Sequence, residues 1–363
     1  MIHNFSQLRD RFNSRFNSAD KPTIGLAGFY GYGNYGDELF LDVWEKYLGA
    51  DFNLRILHDL ELKPFFSERF NDQFNSVDGI IIGGGDILQP WNIDRRYWNR
   101  RFLEKPVWIA GIGVPLRANA QQAEKENVIN KMSDFLTHDN VRLIHSRDAV
   151  SHKWINARFP VSTKSFWSPD IVASLKEDFF KKREASSRTQ KKLGIVVRSR
   201  KGHEDSDNFS LIEGFAERSF AKGWDISIIV LATGRTLKPD LDSSLRLNID
   251  APTRVIFSDS IHTLTSELMC QDAILSMKFH GTVAAMMAGI PSIVGVPTLK
   301  NREFTKQLGV PDLCIGFESQ KLASIDANML KPPKLADIDN VFHLASDAVS
   351  RIGSDLRKFF CKY

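Results

Sequence analysis

The chain has 363 residues, 42% of them apolar and 25% charged, with a net charge of +4. That length exceeds one ordinary core and suits two domains; the composition excludes a disordered chain, and the charge is too small for a nucleic-acid footprint. Three widely spaced cysteines, Cys270, Cys314 and Cys361, lack the paired spacing of a zinc or redox site and suit a reducing cytoplasm.

Met1-Ile2-His3-Asn4 opens a polar segment without the apolar stretch of a secretion signal, and no apolar run is long enough to span a membrane. Phe5, Leu8, Phe12 and Phe16 can share one helical face while Arg9, Arg11 and Arg15 line the other. Peripheral contact with a membrane surface and docking on the core both satisfy that pattern, and docking is the commoner outcome. Short apolar runs then alternate with helical-period segments, as in parallel sheets covered by helices on both faces. The first half predicts strands at Thr23–Ala27, Leu54–Leu57, Gly79–Ile82, Val107–Ala110 and Val141–His145. Between them it predicts helices at Glu38–Leu48, Pro64–Phe74, Asp94–Leu103 and Gln121–Leu136. A polar, lysine-rich interval at 176–192 reads as a linker. Strands are predicted again at Leu193–Val197, Trp224–Leu231, Arg254–Phe257, Ala273–Ser276 and Ser292–Gly295. The expected fold class is α/β, two Rossmann-like doubly wound domains facing a cleft, with residues 1–175 in the first and 193–363, ending in a helix, in the second. Ligands of such sheets sit at the carboxyl ends of the strands.

The motifs gather at those ends. Gly31-Tyr32-Gly33-Asn34-Tyr35-Gly36 has dinucleotide-fingerprint spacing, but Asp37 and Glu38 follow at once. Two carboxylates in a first helical turn occupy the positive potential that a pyrophosphate would need. Asn34, Tyr35 and Asp37 are instead expected to form a polar mouth for sugar hydroxyls, the bland reading being a glycine turn with a helix cap. Gly83-Gly84-Gly85-Asp86 and Gly111-Ile112-Gly113 close successive strands, where backbone N–H groups could approach a ligand or merely make tight turns. Trp91, Tyr97 and Trp98 beside Arg95, Arg96, Arg100 and Arg101 could hold a sugar or pyrophosphate, though a half-exposed helix with snorkelling arginines is the commoner outcome. Ser146-Arg147-Asp148 suggests a structural ion pair, and His58, His145, His203 and His262 receive no role. Arg198 is the first charge after an apolar run and is expected to grip an anion bidentately. The richest segment is Ser276-Met277-Lys278-Phe279-His280-Gly281-Thr282, a cation and a titratable ring at an expected helix start, a site for a small anion.

Taken in order, these segments resemble the polysaccharide pyruvyltransferases. The resemblance runs from about Ile24 to Val296 and is carried by Asn34–Glu38, the glycine loops 83–85 and 111–113, Ser146-Arg147-Asp148, Ser168-Pro169-Asp170, Arg198, and Lys278-Phe279-His280 with Gly289-Ile290-Pro291 beyond. It implies a fold similar to the GT-B glycosyltransferases, an acceptor-side first domain and a donor-side second. The implied reaction moves pyruvate from phosphoenolpyruvate onto two hydroxyls of a sugar as a ketal, releasing phosphate, without a metal or cofactor. His280, Arg198 and Lys278 would be catalytic and, with Gly281 and Thr282, bind the donor; Asn34, Tyr35, Asp37, Gly84, Gly85 and Asp86 would meet the acceptor, lipid-linked or nucleotide-bound. The family usually has arginine where this chain has Lys278, so a fork-shaped contact becomes a point contact. Two other readings fit the same residues: a nucleotide-sugar glycosyltransferase with Asp37 or Asp86 as base, and a non-catalytic sugar- or nucleotide-binding relative.

Overall fold

The structure is a computed structural model and describes residues 20–57, 72–116, 124–181, 190–200, 202–203 and 207–361. The expected N-terminal amphipathic helix, most of the helix expected at Pro64–Phe74 and residues 182–189 of the expected linker lie outside them.

Contacts divide the chain into two compact units that are not contiguous in sequence. The first comprises Met1–Gly31, Phe40–Ile171 and Leu344–Tyr363, and the second Tyr32–Leu39 and Val172–His343. The C-terminal helix, expected in the second domain, therefore gives its last residues to the first unit.

In the first unit β1 (Thr23–Ala27), β2 (Asn53–Ile56), β3 (Gly79–Gly85), β4 (Val107–Ile112), β5 (Val141–Ser146) and β6 (Ser165–Trp167) form a parallel sheet of order β2-β1-β3-β4-β5-β6. Its central strands are buried on both faces, which is why β3 and β4 read as unbroken apolar runs. Ile80, Ile82, Val107 and Ile109 pack with Phe102, Met132, Phe135 and Leu136 in one core, where each buried side chain of this size contributes roughly 1.5–3 kcal/mol. Helix α1 (Tyr35–Leu48) joins β1 to β2, α2 (Glu126–Leu136) joins β4 to β5, and α3 (Ala149–Arg158) joins β5 to β6. α2 buries Val128, Met132, Phe135 and Leu136, a single helical stripe. The helix expected at Asp94–Leu103 is instead a set of turns and a 3-10 helix, Arg100–Glu104. Asp94 accepts the Arg96 N–H (3.0 Å) and Asn99 the Arg101 N–H (3.0 Å), and such short-range bonds compete with helical ones.

In the second unit β7 (Lys191–Val196), β8 (Trp224–Ile229), β9 (Thr253–Ile256), β10 (Ala273–Ser276) and β11 (Ser292–Val294) form a parallel sheet of order β11-β10-β7-β8-β9. The connections are α4 (Ser210–Phe220), α5 (Gly234–Ser244), α6 (Ile261–Met269) and α7 (Phe279–Met287); α8 (Leu299–Gln307) follows β11, and α9 (Leu335–Phe360) ends the described chain. Strand order reverses between β7 and β10, which makes their carboxyl ends the topological switch point where doubly wound sheets bind ligands.

Candidate active site

The switch point of the second unit gathers the residues expected on the donor side. Val196 pairs with Ser276, so the next residues of both strands, ending in Arg198 and Lys278, leave the sheet side by side. Leu193 to Val197 are buried and Arg198 is exposed. Lys278 is the N-cap of α7, with extended backbone, and Ser276 ties the turn by donating to the Lys278 carbonyl (2.8 Å) and accepting its N–H (3.1 Å). α7 is apolar almost all round and buried, so its start is fixed in place. Gly281 faces Ser276 and Leu231 so closely that a Cβ would lie 2.7 Å from Ser276 Oγ. Thr282 is fully buried in the second turn.

Lys278 does not present a loose cation. Its Nζ lies 2.5 Å from Asp240 Oδ2 and donates to the Leu231 carbonyl at 2.6 Å, with side-chain exposures of only 11% for Lys278 and 8% for Asp240. The other Asp240 oxygen accepts the Ser199 N–H at 2.8 Å. Burial lowers the Lys278 pKa from its ordinary value, with Arg198 adding to the effect, while Asp240 and Asp37 oppose it. Lys278 with Asp240 thus ties β7, α5 and the start of α7 together. Asp240 gave no sequence signal, because an acid after Pro239 in a polar helix reads as a solvated face.

The first turn of α1 belongs to the same unit. The Gly33 carbonyl accepts from the Thr233 N–H (2.8 Å) and Thr236 Oγ1 (2.7 Å), Asn34 bridges to Ala232, and Glu38 Oε1 accepts the Gly33 N–H (2.9 Å). Gly33 has φ +87, and a Cβ there would sit 2.0 Å from the Thr233 carbonyl oxygen, so only glycine fits. Asn34 is partly exposed and Asp37 is 9% exposed. Tyr35, expected at a sugar-accepting mouth, is fully buried, with its hydroxyl 2.9 Å from Thr265 Oγ1 on α6, so it serves packing and offers no surface to a sugar. Gly36 lies against the His280 imidazole: a Cβ would be 1.7 Å from Nδ1. Phe279 meets the same ring edge-on, with centroids 4.9 Å apart.

The remaining residues expected on the acceptor side lie in the first unit. Gly84 and Gly85 end β3 with φ of 86 and 96, conformations that favour glycine. Asp86 accepts a hydrogen bond from Arg147, whose guanidinium is 1% exposed and also lies 3.8 Å from Asp170. Burial works against the Arg147 charge, but Asp86, Asp170 and Asp148 outweigh it and raise its pKa. Asp148 caps α3 by accepting the Ser151 N–H and hydroxyl at 2.6 and 2.8 Å. The Gly111 N–H donates to His145 Nδ1 (3.0 Å), so Nε2 carries the proton and faces Ser168 Oγ (2.8 Å), which donates to the Pro169 carbonyl (2.7 Å). The markers Ser146-Arg147-Asp148 and Ser168-Pro169-Asp170 are thus one buried polar network. Among the described residues no group of three or more His, Cys, Asp or Glu is placed to hold a metal ion, no helix is long and apolar enough to cross a membrane, and Cys270, Cys314 and Cys361 are unbridged.

Solved structures share this fold. A S. aureus MnaA–UDP co-structure aligns with a TM-score of 0.57 at 10% identity, covering 93% of this chain and 96% of that one. UDP-GlcNAc 2-epimerase from Methanocaldococcus jannaschii gives 0.54 at 15%, covering 93% and 99%. The wall teichoic acid polymerase TagF gives 0.53 at 10%, covering 99% and 94%. These likenesses place the chain in an α/β, GT-B-like fold class, with two parallel sheets flanked by helices. No curated protein matches the sequence. The family model for polysaccharide pyruvyl transferase matches residues 34–296, from the first turn of α1 to just past β11. With most of its length covered, and with Arg198, His280 and the Lys278 cap inside the match, the chain belongs to the polysaccharide pyruvyl transferase family.

Proposed function

We propose that this protein transfers pyruvate from phosphoenolpyruvate to two hydroxyls of a sugar, forming a cyclic ketal and releasing phosphate in polysaccharide or glycoconjugate biosynthesis. The observation that carries the reading is the switch point of the second sheet, where Arg198, His280 and the start of α7 converge. Arg198 holds the donor's carboxylate or phosphate by its fork, and the first N–H groups of α7 add positive potential. His280, in its protonated form, gives its proton to the methylene carbon of the enol, and C2 becomes electrophilic. One sugar hydroxyl adds to C2 and the C2–O bond to phosphate breaks. The second hydroxyl then adds to C2 and closes the ketal. Of the two hydroxyl protons displaced, one restores His280 and the other leaves on the phosphate. Asn34 and Asp37, which flank Gly36 in sequence at the start of α1, are the acceptor contacts this unit supplies. Lys278 positions the start of α7 through Asp240.

Phosphate release from phosphoenolpyruvate, measured with a panel of sugar acceptors including lipid-linked and nucleotide-bound ones, tests the reading. Acceptor-dependent release is expected, with His280→Ala abolishing it while thermal unfolding stays near wild type. Release undiminished in His280→Ala would remove that residue from the chemistry. Protection from unfolding by nucleotide sugars and none by phosphoenolpyruvate would instead favour glycosyl transfer.

A further inference from the structure

The first unit holds a feature outside that chemistry. Two cavities of about 460 and 320 Å³ lie between the turns that follow Trp91 and helix α2, and they share Ile93, Arg95 and Lys131, so they form one trough. The larger is walled by Ile93, Leu103, Phe135 and Trp98. Its indole N–H is already donated to the Ile87 carbonyl (3.0 Å), and the neighbouring Asn99 oxygen accepts the Arg101 N–H, so this half presents an apolar wall. The smaller half is polar, with Trp91, Asn92, Asn127 and Lys125. Arg95 and Lys131, at the junction, are exposed and make no ion pair with the described residues; Asp134 is the one carboxylate on the lining.

We propose that this trough binds an amphiphilic phosphate or diphosphate ester. Its phosphate lies between Arg95 and Lys131, its single apolar chain against Ile93, Leu103 and Phe135, and its polar head along Trp91 and Asn92. Three physical points select that class. Cavities of this size hold one small molecule rather than a bilayer or a protein. A bare phosphate would leave the apolar wall of Ile93, Leu103 and Phe135 unfilled. The cations at the junction, which make no ion pair with the described residues, match a phosphate placed between a chain and a head. The site stands whether or not the chain transfers pyruvate, because it concerns binding in the first unit alone.

Calorimetric titration of the full chain with farnesyl diphosphate, below its aggregation concentration, tests this, with inorganic pyrophosphate and farnesol as comparisons. Farnesyl diphosphate is expected to bind at least about tenfold more tightly than either one. Reversing both junction charges, Arg95→Glu with Lys131→Glu, is expected to weaken it about tenfold or more, whereas Lys222→Glu, at an exposed lysine of the second unit, leaves it unchanged. Ile93→Ser is expected to weaken farnesyl diphosphate without changing pyrophosphate. His280→Ala is expected to bind like wild type, which separates this result from the transfer assay. Pyrophosphate binding as tight as farnesyl diphosphate, or farnesyl diphosphate binding that neither the charge reversal nor Ile93→Ser moves, would overturn the proposal.

Discussion

His145 shows how a single side chain can carry a pH response. It is fully buried, its Nδ1 accepts from Gly111, and burial drives its pKa from 6.5 down to about 3. The unfolded chain therefore takes up a proton below pH 6.5 that the folded chain refuses until about pH 3. Its contribution to stability is fully present above pH 6.5 and is lost as pH falls, by about 1.4 kcal/mol per unit within that window. Urea midpoints measured between pH 6.5 and 4 are expected to fall more steeply for wild type than for His145→Gln; equal slopes would show that this ring does not govern the response. In the sequence His145 was one histidine among several, because what sets it apart is a backbone N–H from the neighbouring strand. The places of Arg198 and His280 just past β7 and β10 were legible, since each follows an apolar run. Tyr35 was misplaced for a similar reason to His145: its partner Thr265 is 230 residues away. Lys278 was read as a ligand-facing cation because its partner, Asp240, lies on a helix with no apolar period to mark it.

At the scale of elements, the first turn of α1 and the start of α7 are locked through Gly36 and His280. Gly36→Ala would place a Cβ 1.7 Å from the ring nitrogen, so ring or helix must shift. Such overpacking costs roughly 1–3 kcal/mol, and a displacement near 1 Å from reacting geometry costs about a hundredfold in rate. Phosphate release by Gly36→Ala is thus expected to fall about a hundredfold while the protein still unfolds cooperatively; a rate within twofold of wild type would mean the ring's position is not critical. The family spacing Asn34–Glu38 was visible in the sequence, but nothing there marked Gly36 as the seat of an imidazole. Strands were read to within a few residues because central parallel strands are apolar on both faces. The segment after Trp91 was misread as a helix because Asp94 and Asn99 spend their side chains on nearby backbone N–H groups.

For the molecule as a whole, the linker-based division was the least legible feature, since a contact-defined unit need not follow chain order. α9 begins in the second unit, and its last turns bring Phe359 and Phe360 onto Trp108 in the first, with the Trp108 indole N–H donating to Asp355 at 2.8 Å. Leu356 is fully buried in this segment. Leu356→Ala is expected to destabilise the first unit by about 2–5 kcal/mol in urea unfolding followed by tryptophan fluorescence, and a change below about 0.5 kcal/mol would contradict its place in that core. The interleaved division also bears on how the chain is made. Nascent chains generally fold from their N-terminal domain onward during synthesis. Here residues 32–39 are translated long before the rest of their unit, and residues 344–363 complete the first unit only after the whole second unit has been made. The first unit thus stays open while the second is translated, so a pause in that stretch would leave two unfinished domains where a contiguous protein would leave one.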